Sequence, residues 1–122
     1  MEFYFEITID LYEKFLFITN DTNSLHTDQS YAQKFGFIDK VVHGNLFNCF
    51  ISYIVGVGLG IENIMLINQS INYRRPVYIN DKVKFVVEKS KIYESINAEE
   101  YIFKVFRFNE LLSDGKFMIK IL

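Results

Sequence analysis

Between Leu46 and Leu59 the chain reads LFNCFISYIVGVGL, apolar on every side and without one charged residue. The run is longer than an ordinary strand. As a helix, a segment apolar all round must be buried. It falls short of the ~20 residues that span a bilayer, and Asn48, Ser52, Gly56 and Gly58 interrupt it. Whatever this chain folds into must therefore wrap around one central helix.

The flanking segments supply the wrapping. Phe3, Phe5, Ile7 and Ile9 alternate with Tyr4, Glu6 and Thr8, the period of a half-buried strand. Tyr12 to Ile18 reads as a short helical turn. Asp28 is placed to cap a brief helix that Gly36 stops. Beyond the apolar run, strand patterns recur over Met65–Tyr78, Lys82–Tyr93, Tyr101–Phe108 and Lys116–Leu122, with turns expected at Asn80-Asp81 and Ser113-Asp114-Gly115. This order predicts an α+β fold in which a curved antiparallel sheet wraps the apolar helix. Residues 1–122 contain no repeat or Pro/Ser-rich linker and read as a single domain.

Composition narrows the function. Thirteen basic and fifteen acidic residues leave a net charge of −2, so no basic face for nucleic acid is expected. Arg74, Arg75 and Lys82 suit a local phosphate instead. The lone Cys49 excludes an internal disulfide and, within its apolar run, reads as a buried inert thiol. Residues 1–10 lack a secretory signal pattern, and a cytoplasmic protein without a membrane segment is expected.

One polar loop carries the candidate chemistry: Asp21-Thr22-Asn23-Ser24-Leu25-His26. A carboxylate beside an imidazole gives one group to accept a proton and another to hold or deliver it near neutral pH. Such residues are common in loops, so the pair alone specifies little. It gains weight from His43, the only other histidine, and Gly44, which open the apolar run. A Gly44 N–H unpaired at the start of a helix would face an oxygen that gains negative charge. No GxSxG elbow or P-loop is present, and the two histidines and Cys49 do not fall at structural-metal spacing, so no metal is expected. Gly56-Val57-Gly58-Leu59-Gly60 follows no strand and reads as helix packing or termination.

Together these residues resemble the MaoC-like, R-specific enoyl-thioester hydratase (hydratase 2) family. Thr19-Asn20-Asp21-Thr22-Asn23-Ser24-Leu25-His26-Thr27-Asp28 is similar to that family's S-G-D-x-N-P-x-H-x-D loop, and His43-Gly44-Asn45 to its H-G-M turn. Gln69-Ser70, Arg75-Pro76-Val77-Tyr78 and Asp81 resemble the segment that follows. The resemblance implies a hot-dog fold and reversible hydration of a trans-2-enoyl thioester, or dehydration of an R-3-hydroxyacyl thioester, in fatty acid metabolism. It makes Asp21 and His26 the catalytic pair and Gly44 the oxyanion hole. Asn23, Ser52 and His43 take supporting roles, Asn23 bracing the loop and Ser52 orienting from the helix. No cofactor or metal is implied. The substrate would ride on coenzyme A or an acyl carrier protein, and a homodimer is expected. Departures include Thr19-Asn20 for Ser-Gly, Ser24 for Pro and Asn45 for Met. With Asn45 and Asn48 the acyl pocket would be more polar, favouring a short or hydroxylated acyl group. A hot-dog acyl thioesterase and a non-catalytic acyl-thioester-binding subunit are the alternatives.

Overall fold

A computed structural model describes residues 1–122. Strand β1 (Glu2–Glu6) keeps the predicted alternation, and Thr8 then caps helix α1 (Ile9–Thr19) by accepting a hydrogen bond from the Leu11 N–H. The helix is longer than the expected turn at Tyr12–Ile18. It ends where Asn20 enters the left-handed region at φ 53°, a conformation Asn tolerates. Two short helices follow, α2 (Ser24–Thr27) and α3 (Gln29–Lys34). Asp28 caps α3, accepting from the Tyr31 N–H at 3.1 Å, and Gly36 lies just beyond it at φ 92°.

The apolar run becomes α4 (Leu46–Tyr53), continued by a π-helical turn over Ile54–Gly58. Four strands complete the fold: β2 (Ile64–Tyr73), β3 (Lys82–Tyr93), β4 (Ala98–Arg107) and β5 (Glu110–Ile121). All pairings are antiparallel in one sheet of order β1-β3-β4-β5-β2. Leu46, Phe47, Phe50, Ile51, Ile54 and Val55 pack against the inward residues of the sheet, among them Phe85, Phe103, Val105 and Ile119. Phe5 stacks on Phe50 at 4.3 Å between ring centroids and meets Phe85 edge-on, which joins helix to sheet. This is the predicted α+β arrangement.

Three expectations need correction. Burial of the central helix is one-sided: the sheet takes one face, while Cys49, Ser52, Tyr53, Gly56 and Val57 are exposed. Cys49 is thus on the surface, although enough of its thiol is shielded to push the pKa up. Second, Ser113-Asp114-Gly115 is no turn. It lies inside β5, paired with Val105, Lys104 and Phe103 on one side and Tyr73, Asn72 and Ile71 on the other. The hairpin turns at Phe108-Asn109 instead. Gly115 is required there by closeness, since a Cβ would lie 2.1 Å from the Ser70 carbonyl oxygen. Third, the strand expected over Met65–Tyr78 ends at Tyr73. Pro76 has no N–H for a ladder, and the Tyr78 N–H turns to Asp81 Oδ2 at 2.8 Å.

Candidate active site

The loop between α1 and α2 is shaped by its own short polar side chains. Thr19 Oγ1 accepts from the Asp21 N–H at 3.2 Å, Asp21 Oδ1 from the Asn23 N–H at 3.3 Å, and Asn23 Oδ1 from the Leu25 N–H at 3.0 Å. Each is the local side-chain-to-backbone bond that Asp, Asn and Thr favour. Asn23 therefore caps α2, which carries His26 inward. The Tyr12 hydroxyl donates to the His26 carbonyl at 2.5 Å, and the Val41 N–H donates to the Leu25 carbonyl at 2.9 Å, fixing α2 from both sides.

Asp21, His26 and His43 converge. Asp21 Oδ2 lies 3.5 Å from His26 Nε2 and 3.9 Å from His43 Nε2. The two imidazoles stack with centroids 3.9 Å apart and planes 28° from parallel. Backbone carbonyls, which only accept, set both tautomers. His26 Nδ1 donates to the Val41 carbonyl at 2.7 Å, so the Nε2 lone pair faces Asp21. His43 Nε2 donates to the Asp21 carbonyl at 2.8 Å, leaving a buried Nδ1 with no partner. His43 is 3% exposed, whereas half of the Asp21 side chain is open to solvent.

Three donor atoms within 4.8 Å of one another also form the side-chain set of a small metal site. The geometry fits a metal poorly. Stacked rings aim their lone pairs alongside one another rather than at a common point, and His43 Nε2 already carries a proton donated to a carbonyl.

Gly44 stands beside the pair where the chain enters α4. Its carbonyl accepts from the Phe47 N–H at 3.0 Å, while its own N–H finds no acceptor in the chain. A cleft of about 390 Å³ runs past His26, Val41, Gly44 and Asn45 on one wall and Tyr73 to Val77 on the other. The walls are tied together by the Val42 N–H donating to the Val77 carbonyl at 2.8 Å. Arg107 steadies the second wall, donating to Asp81 Oδ2 at 2.6 Å and to the Pro76 carbonyl at 3.2 Å. Arg74 and Arg75 line the cleft, each paired with a carboxylate, Asp114 at 2.9 Å and Glu110 at 3.2 Å. Lys82 lies away from it.

The structure thus brings Asp21, His26, His43 and Gly44 together, with Asn23 bracing the loop from behind. Ser52 stands apart from this cluster: it is exposed, about two turns along α4 from Gly44, and its hydroxyl makes no hydrogen bond in the chain. Tyr12, Val41 and Tyr73 were not read from the sequence. Val41 acts through its backbone carbonyl and Tyr12 through its hydroxyl, each from a segment distant from His26, which no spacing announces.

Comparison with known proteins bears on the family and the fold. Residues 4–105 match the MaoC like domain. A mitochondrial 3-hydroxyacyl-[acyl-carrier-protein] dehydratase of Arabidopsis thaliana is 32% identical over 87 residues, 71% of this chain and 50% of that protein. An (R)-specific enoyl-CoA hydratase of Rhodospirillum rubrum is 36% identical over 70 residues, 57% of this chain and 49% of that protein. The chain thus spans about half the length of these two relatives. The solved (R)-hydratase from A. caviae superposes with a TM-score of 0.89 at 23% identity, covering 100% of this chain and 93% of that one, which shows the shared hot-dog fold. By the extent of the match and the fold, the chain belongs to the MaoC-like family.

Proposed function

We propose that this protein reversibly hydrates a trans-2-enoyl thioester, or equally dehydrates the R-3-hydroxyacyl thioester, with Asp21 and His26 as the catalytic pair and Gly44 as the oxyanion donor. The observation that carries the reading is the 3.5 Å gap between Asp21 Oδ2 and the His26 Nε2 lone pair, beside a Gly44 N–H with no acceptor. Two acceptors at that distance do not bond each other. A water between them donates to both and keeps a lone pair for attack.

In the hydration direction the water oxygen bonds to C3 and gives one proton to the pair. The double-bond electrons move onto the thioester oxygen, which the Gly44 N–H stabilises. As the enolate collapses, C2 takes the proton back from the pair, and one water has added across the double bond. His43 positions rather than reacts, holding the Asp21 carbonyl and flanking the His26 ring. The chemistry needs neither a redox group nor a metal.

The relatives named for coenzyme A and carrier-protein substrates support a thioester on one of those carriers. A homodimer fits the large apolar side chains left exposed on α4, its π-helical continuation and β2, including Tyr53, Val57, Met65 and Ile67. No helix is long and apolar enough to cross a membrane, and a cytoplasmic location belongs to the same reading.

The test follows enoyl absorbance with crotonyl-CoA and a crotonyl carrier protein. Asp21→Asn and His26→Ala should each lose ~10²-fold or more in kcat/KM, the scale of a positioned acid–base group. Near-normal turnover by Asp21→Asn overturns the mechanism. Free thiol together with crotonate, rather than a 3-hydroxybutyryl thioester, as the product would favour a thioesterase instead.

A further inference from the structure

The seam between α4 and β2 holds a polar chain that the mechanism does not use. Tyr73 Oη donates to Asn45 Oδ1 at 3.1 Å, and Asn48 Nδ2 donates to the same oxygen at 3.0 Å. Gln69 Nε2 in turn donates to Asn48 Oδ1. Both acceptor sites of the Asn45 oxygen are thereby filled and its amide is fixed in one orientation, with Nδ2 bonded to nothing in the chain. Burial raises the Tyr73 phenol above its ordinary value, against an opposing pull from the Asn48 amide, so the hydroxyl stays a donor.

The relay lies at one end of the catalytic cleft. Tyr73 and Asn45 both line it, and the Tyr73 ring lies so close over Gly44 that a Cβ there would come within 2.7 Å of it. Arg74 and Arg75 follow Tyr73 along the same wall and are the cationic groups of the cleft. They suit the phosphate-bearing carrier. With the carbonyl at Gly44 and the carrier leaving past the arginines, the acyl tail runs the other way, along the seam from Asn45 toward Asn48 and Gln69. Along that path the Asn48 side chain is held between those of Asn45 and Gln69 by hydrogen bonds.

We propose that the Gln69–Asn48–Asn45–Tyr73 relay closes the acyl end of the cleft and restricts this protein to short acyl groups of about four carbons. The proposal rests on the hydratase reading and names its substrate class. A methylene buried in an apolar site contributes roughly fourfold in affinity. Against a fixed amide wall that gain is lost, and a longer chain must also break the relay to enter. The free Asn45 Nδ2 adds a donor for an oxygen substituent near the end of a short chain.

The test compares kcat/KM of the whole chain for crotonyl-CoA and trans-2-octenoyl-CoA, in the wild type and in Asn45→Met, Asn48→Leu and Tyr73→Phe. The wild type should prefer the four-carbon substrate at least tenfold. Asn45→Met and Asn48→Leu should shift the ratio toward eight carbons by tenfold or more, and Tyr73→Phe, which keeps the ring over Gly44, by less. Equal use of both substrates by the wild type overturns the proposal and leaves the hydratase reading standing. That arm needs no variant, so a substitution that unfolds the chain does not remove the test. A ratio unmoved in all three folded variants also overturns it. Absence of hydration with either substrate refutes the underlying reading instead.

Discussion

His26 and His43 stack at 3.9 Å although one belongs to the polar loop region and the other opens the central helix. The stack makes the loop and the helix one rigid unit. Through its bond to the Asp21 carbonyl, His43 also sets the depth at which the carboxylate sits.

His43→Leu should therefore lower kcat about tenfold or more with a smaller change in KM, because the substrate is not touched but the Asp21–His26 geometry is released. Buried His43 is replaced by an apolar group of similar bulk, so the fold should survive. His43→Gln, which keeps an amide donor, should recover part of the rate. Steady-state kinetics on both variants checks this, and an unaltered kcat in His43→Leu would show that the stack does not position the pair.

Gly44→Ala should reduce kcat/KM by about tenfold or more. The added methyl meets the Tyr73 ring at 2.7–3.0 Å and must displace either the ring or the backbone N–H. Tyr73 is half exposed and can yield. If ring displacement is the main cost, adding Tyr73→Ala to Gly44→Ala should lose less than the product of the single effects. A double-mutant cycle on crotonyl-CoA hydration measures that coupling.

Gly115→Ala probes the fold away from the chemistry. Its Cβ would be 2.1 Å from the Ser70 carbonyl oxygen and 2.7 Å from the Phe103 ring, and the backbone oxygen cannot move without opening the β2–β5 ladder. A loss of about 3 kcal/mol is expected from such overpacking, read as the shift in a urea midpoint. A variant as stable as the wild type would mean that the two strands separate more readily than their register implies.

Asp114 gives a pH prediction. The Arg74 guanidinium and the Asn72 amide hold its carboxyl below the ordinary carboxylate value in the folded chain. A pKa depressed by folding adds stability above the unfolded value, and that stability disappears as pH falls through the folded one. The advantage of the wild type over Asp114→Asn should thus be present at pH 6 and fade below pH ~4. The Asp114 side chain is 23% exposed and its partner Arg74 about half exposed, so solvent screens the pair and less than ~1 kcal/mol is at stake. Thermal midpoints at pH 3 and pH 6 with a constant offset would contradict the assignment.

Most of the architecture was legible because it rests on period and length. The apolar run required a central helix, and the alternation over Lys82–Tyr93 marks β3 to the residue. The expectations that failed depended on what lies across space. Ser113-Asp114-Gly115 has the composition of a turn, but in β5 its glycine answers the approach of Ser70 from another strand. Cys49 sits in an apolar run yet faces outward, because the sheet covers only one side of α4. At the site, the sequence put Asp21, Asn23 and His26 in one polar loop, the resemblance gave them their expected roles, and the structure brings Asp21 within 3.5 Å of His26. The partners that fix His26, Val41 and Tyr12, act through a carbonyl and a hydroxyl placed by tertiary packing.

The division of the cleft between two parts of the chain also has a temporal meaning. Asp21, His26, His43 and Gly44 span a short stretch of sequence, and their contacts close through small loops. The facing wall from Tyr73 to Val77 has no such independence. In the sheet β2 pairs only with β5, and the Arg74 and Arg75 N–H groups both donate to the Leu112 carbonyl. A nascent chain released through β4 would hold these four residues without the facing wall of the cleft. On the proposed hydratase reading, reactivity should therefore arrive at one step, when β5 docks between β4 and β2.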